Sequence, residues 1–137
     1  MKIIIACSMS AANLCLQIKD GLEQNGHEVI IPRNIDKYAS GELKLEQKWE
    51  SSEHKIEHDL IRGYFKKIAE SDALLVINQD KGNLKNYIGG NTFLEIGFAH
   101  VLNKPIYLYN PMPDCSYTSE IIAMSPVVIN GDLSMIK

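Results

Sequence analysis

The 137-residue chain is short of cysteine, has no surplus of basic charge and contains no long apolar run, and each shortage removes a class of protein. Its three cysteines, Cys7, Cys15 and Cys115, form neither an even set nor a CxxC pair, which argues against a disulfide framework and against a zinc site. A reducing cytoplasm suits that usage. With 14 Lys and Arg against 17 Asp and Glu, the formal net charge of −3 leaves no basic excess to neutralise phosphates, so general nucleic-acid binding is not expected. No segment approaches the length of a membrane span. The N-terminal MKIIIACSMSAANLCLQI is interrupted by Ser8, Ser10 and Asn13 and is better explained as a strand followed by a helix than as a secretory signal. Of the four histidines, only His54 and His58 lie one helical turn apart, and they lack the glutamate placement of HExxH. Neither a metal nor a cofactor is expected.

What is present alternates strand with helix. Lys2 to Cys7 is β-branched without alternation, the mark of a strand buried on both faces. Leu14, Ile18 and Leu22 then recur with helical spacing, and Asn25-Gly26 supplies a stop. His27 to Pro32 reads as a second strand. From Arg33 to Ser52 periodicity dissolves into a surface excursion or a short extra element, with Trp49 as its aromatic anchor. A helix from about Glu53 to Glu70 carries Ile56, Leu60, Ile61, Tyr64, Phe65 and Ile68 on one stripe. Asp72 to Asn78 is a third strand, PIYLYN a fourth and PVVING a short fifth, the last preceded by a helix over Tyr117 to Met124. The pattern predicts an α/β fold: one flavodoxin-like, Rossmann-like three-layer sandwich over residues 1–137, with five parallel strands in the order 2-1-3-4-5.

In such a sheet ligands bind outside the carboxyl ends of the strands, where strand order reverses. That places a site between the loops CSMSAAN and NQDKGNLKNYIGGN. Both lie beside helix N-termini, which attract anions, and Ser8 and Ser10 are suited either to hold a phosphate or sugar hydroxyl or to cap the first helix. Asn78, at the end of the third strand, is expected to point its amide into the crevice. Gly89 and Gly90 mark a tight turn or a close approach to ligand. Asn91 is a sugar contact or an N-cap. Glu95 is the puzzle, a carboxylate in the first turn of the apolar segment GGNTFLEIGFAH. Thr92-x-x-Glu95 fits a capping box, yet a helix starting at the switch point would turn the same carboxylate toward the crevice.

The combination of SDALLVIN with GGNTFLEIGFAHVLNKPIYLYN resembles the nucleoside 2-deoxyribosyltransferase-like proteins, whose relatives include nucleotide N-glycosidases. The likeness runs from KIIIACSMS to PIYLYN and is most specific in E-[ILM]-G-[FY]-A followed by K-P and a strand. It implies that Glu95 is the nucleophile that attacks the anomeric carbon of a nucleoside or nucleotide, expels the base and forms a glycosyl ester, which a second base or water then resolves. It implies that Ser8, Met9 and Ser10 surround a 5′-phosphate, although Ala11 and Ala12 stand where the glycosidases carry an arginine. It also implies a homodimer or higher homo-oligomer, with a segment matching Asp114 to Glu120 completing a neighbour's site. Two aspartates of the transferases are replaced here, by Gly89 and Tyr64. Asp80 is then the preferred proton-transfer group and Tyr64 a further ligand contact or core residue. Two other readings remain: a catalytically silent nucleotide-binding domain of the same fold, and a phosphoribohydrolase of the PGGxGTxxE type.

Overall fold

The structure, a computed structural model, describes residues 1–43 and 59–137. At its centre β1 (Lys2–Cys7) lies between β2 (Glu28–Ile30) and β3 (Ala73–Ile77), with β4 (Ile106–Leu108) and β5 (Val127–Val128) beyond. All neighbours are parallel and the order is β2-β1-β3-β4-β5, as the alternation of elements predicts.

The unalternating strands are explained by two cores. Ile3, Ile5 and Cys7 of β1, with Leu75 and Ile77 of β3, face one side; Ile4 and Ala6, with Leu74 and Val76, face the other. Because successive side chains point to opposite faces, a strand covered on both sides must be apolar throughout. Ile3, Ile4, Ile5, Leu74 and Leu75 are fully inaccessible, each contributing roughly 1.5–3 kcal/mol relative to exposure.

On the first side pack α1 (Ala12–Gln24), through Cys15, Ile18 and Leu22, and α2 (Ile35–Ser40), through Ile35. The second side is covered by α3 (Leu60–Ala69), α4 (Gly90–Val101) and α5 (Thr118–Ala123), through Ile68, Ile96, Ala99 and Ile121. The α1 stop is as expected: Gly26 takes φ +90°, a left-handed conformation that suits glycine. α2 is the short element within the irregular stretch.

The stripe expected on the third helix is divided. Ile68 is buried and Tyr64 half-buried, whereas Ile61 and Phe65 are exposed at 43% and 36%, and the Phe65 ring stands T-shaped to that of Phe98 on α4. Ile61 and Phe65 lie to the outer side of the face that packs on the sheet. The part of that helix predicted before residue 59, with Ile56, lies outside the described residues, as do Trp49 and the His54/His58 pair. No helix among the described residues is long and apolar enough to cross a membrane.

Candidate active site

The carboxyl ends of β1 and β3 are neighbours, paired through Cys7 and Ile77, and α4 begins on the loop that leaves β3. Its first helical residue is Gly90 and its N-cap is Gly89, in extended conformation with no side-chain capping bond; Phe93 N–H donates to Gly89 O at 2.9 Å. Thr92 is therefore the third helical residue, and Glu95 sits in the second turn rather than the first. This corrects the capping-box expectation. The two glycines carry the helix start upstream of Thr92, so Glu95 is too far along to reach the N-cap backbone.

Glu95 is nearly buried, at 8% exposure, and its Oε1 accepts a hydrogen bond from Asn91 Nδ2 at 2.9 Å. Asn91 is thus neither N-cap nor free amide. Thr92 is also buried. The charge of Glu95 reaches Cys7 at the end of β1 and Tyr64 on α3. A hydrogen bond with Cys15, then burial, then the charges of Cys15 and, last, Glu95 push the Cys7 thiol well up. Burial and then Glu95 do the same to the Tyr64 phenol. Both groups are held neutral at ordinary pH, and Glu95 supplies the local negative charge. A nearly buried carboxylate near the end of β1 is chemically equipped for nucleophilic attack or for binding a cationic centre.

The remaining candidates fall into place less uniformly. The Tyr64 hydroxyl donates to the Ile5 backbone carbonyl, so its polar end is tied to β1. Ser8 caps the short 3-10 turn Met9–Ala11 by accepting from Ser10 N–H at 3.3 Å, and the two serine hydroxyls lie 2.9 Å apart. Met9 and Ser10, with Ala12, Asn13, Tyr38 and Leu43, line a cavity of about 230 Å³ beside this loop. A second, of about 150 Å³, lies between the loop after β3 and the segment after β4, lined among others by Lys85, Tyr87, Asp114 and Tyr117. Glu95 lines neither of these two. Gly90 has open space where a side chain would stand, but a Cβ on Gly89 would meet the Tyr87 hydroxyl at 2.9 Å. An aspartate at residue 89 would have to displace that ring, which gives the glycine a physical reason.

Two expectations change. Asn78 does not offer its amide to the crevice: it is completely buried, Nδ2 donates to the carbonyls of Asn110 and Pro111 at 3.0 and 2.9 Å, and Oδ1 accepts from Asn110 N–H at 2.8 Å. Asn110 returns a bond to Asn78 O at 3.1 Å. This reciprocal clamp ties the ends of β3 and β4 together. Asn110 was recoverable from sequence, since adjacent parallel strands both end in asparagine; its pairing with Asn78 was not.

Asp80 is exposed and folded into its own loop, accepting from Asn86 N–H at 2.8 Å and facing Lys85 Nζ at 3.1 Å. The Asn86 bond first, and Lys85 second, hold its carboxyl below the usual range. A group kept ionised in this way is a poor proton donor near neutrality. Because its folded value is depressed, its contribution to stability is present above the ordinary carboxylate value of about 3.9 and is lost as pH falls through the lower folded value. Urea unfolding of wild type and Asp80→Asn should therefore differ near neutrality, and the gap should close below about pH 4. A gap independent of pH would contradict this role.

Two solved structures resemble the fold. One belongs to a 2-deoxyribosyltransferase from the psychrotolerant bacterium Bacillus psychrosaccharolyticus; it is 21% identical, covers 79% of this chain and 71% of its own, and gives a TM-score of 0.48. The other is the CMP N-glycosidase BcmB of Clostridium botulinum, 17% identical over 95% of this chain and 90% of its own, again with a TM-score of 0.48. No family model matches the chain, and no curated protein matches it.

Proposed function

We propose that residues 1–137 form a nucleoside 2-deoxyribosyltransferase-like domain that cleaves or transfers the base–sugar bond of a nucleoside or nucleotide, with Glu95 as nucleophile. The observation that carries this is the placement of Glu95. Its carboxylate is not a cap of its own helix; it is nearly buried, its charge is felt by Cys7 at the end of β1, and it accepts a hydrogen bond from a side-chain amide. The E-I-G-F-A motif of the sequence resemblance falls on this residue.

In the proposed reaction a Glu95 oxygen forms a bond to the anomeric carbon while the bond from that carbon to the base nitrogen breaks. The base leaves with the electron pair and takes a proton from water. Water or a second base then attacks the same carbon and regenerates the carboxylate. The loop of Ser8, Met9 and Ser10, bordering the 230 Å³ cavity, suits the sugar's 5′ end. Gly89, Gly90 and Thr92 shape the helix start beside it.

The same proposal includes a homodimer or higher homo-oligomer. Leu94 and Val101, exposed at 47% and 76% on α4, offer an apolar face, whereas the apolar stripe of α1 is turned inward; sedimentation velocity reads the assembly directly, and a monomer at micromolar concentration would remove this part. A reducing cytoplasm fits the three unpaired thiols, and a thiol reagent added to the denatured, unreduced protein should count all three.

Purified protein incubated with a panel of nucleosides and monophosphates should liberate free base, detected by chromatography. A second reading, a silent nucleotide-binding domain, is favoured by one observation: the polar ends of Tyr64 and Asp80 are both engaged within the protein. It predicts thermal stabilisation by a ligand of the panel with no base released, and that outcome would displace the enzymatic proposal.

A further inference from the structure

We propose that Asn91 is a positioning residue for Glu95, holding the carboxylate ionised and oriented through its side-chain amide; the catalytic part of this inference rests on the function proposed above. The two residues are one helical turn apart on α4, and helical side chains lean toward the N-terminus, so Glu95 reaches back over Asn91. The contact is direct, Nδ2 to Oε1 at 2.9 Å.

The need for such a donor follows from location. At 8% exposure Glu95 has lost most of its hydration, and a buried carboxylate requires hydrogen bonds in place of water. In the second turn it is also beyond the region where the helix dipole acts strongly. The hydrogen bond with Cys15, together with burial, keeps the Cys7 thiol neutral, and burial keeps the Tyr64 phenol neutral beside it. A neutral amide is matched to this task. It favours the ionised form by donating to it, and it adds no charge of its own. An aspartate in its place would set two negative charges side by side.

Two readouts test the proposal. In carbon-13 NMR titrations of the free protein, with the Glu95 signal assigned by its absence in Glu95→Gln, the carboxyl should titrate at higher pH in Asn91→Ala than in wild type, and higher still in Asn91→Asp. With a base-releasing substrate, Asn91→Ala should lower kcat about 10- to 100-fold, the size of one hydrogen bond to a charged group. KM should change little, and the acid limb of kcat/KM should move to higher pH. Unchanged titration of Glu95 in Asn91→Ala overturns the proposal, whatever the activity. If the titration shifts but wild type releases no base from any substrate, the positioning contact stands and the glycosyl-transfer function fails.

Discussion

Glu95→Gln should stop base release almost completely, by at least about a thousandfold, while leaving the fold intact. The size follows from the role: without a nucleophilic oxygen the two-step route is closed, and loss of a nucleophile commonly costs that much or more. The small structural effect follows from the geometry. Glutamine keeps the shape and an acceptor for Asn91, and the α4 N-cap is Gly89, which does not involve residue 95. The melting temperature should move by no more than about 5 °C. Kinetics on the best substrate of the panel, paired with thermal unfolding of the same preparations, separates the two effects. A variant that retains wild-type turnover would end the nucleophile assignment.

Asn78→Ala should show the opposite pairing, a large loss of stability from a residue whose amide is engaged within the protein. Its amide makes three hydrogen bonds in a completely buried position. Truncation leaves the Asn110 N–H and the carbonyls of Asn110 and Pro111 without these partners, and each unsatisfied buried group costs about 1–3 kcal/mol. Partial relaxation brings the total to about 3–5 kcal/mol, at the upper end for single substitutions. Urea unfolding should show the midpoint falling by about 2 M. Asn78→Asp should do no better, because a carboxylate would place acceptors against two carbonyl oxygens. A shift under about 1 kcal/mol would mean that the clamp between β3 and β4 is not an organising feature.

The sheet was legible because its strands carry the signature of burial on both sides. KIIIAC and ALLVI have no polar alternation, and the intervening helical spacings leave little freedom in connection order. The site was legible only in outline. GGNTFLEIGFAH located the right helix, but the local capping-box pattern placed its N-cap three residues late, because glycines such as Gly89 and Gly90 can cap or enter a helix as well as precede one. Asn91 was an open choice between cap and ligand contact, and its partner proved to be the carboxylate one turn away.

Asn78 shows the limit most clearly. A polar residue at a strand end facing a crevice is a natural ligand contact, yet the bonds that define it come from a residue 32 positions later, across a strand pair that sequence periodicity does not register. Tyr64 and Gly89 looked like simple losses. In three dimensions the tyrosine is bonded to the Ile5 carbonyl and the glycine gives room to Tyr87.

The most direct test of the central claim is mass spectrometry of protein quenched during turnover of a slowly resolved 2-fluoro nucleoside or nucleotide. The account predicts a glycosyl adduct on the peptide containing Glu95, absent from Glu95→Gln. Base release that proceeds with the Glu95 peptide unmodified, and continues in Glu95→Gln, would contradict it.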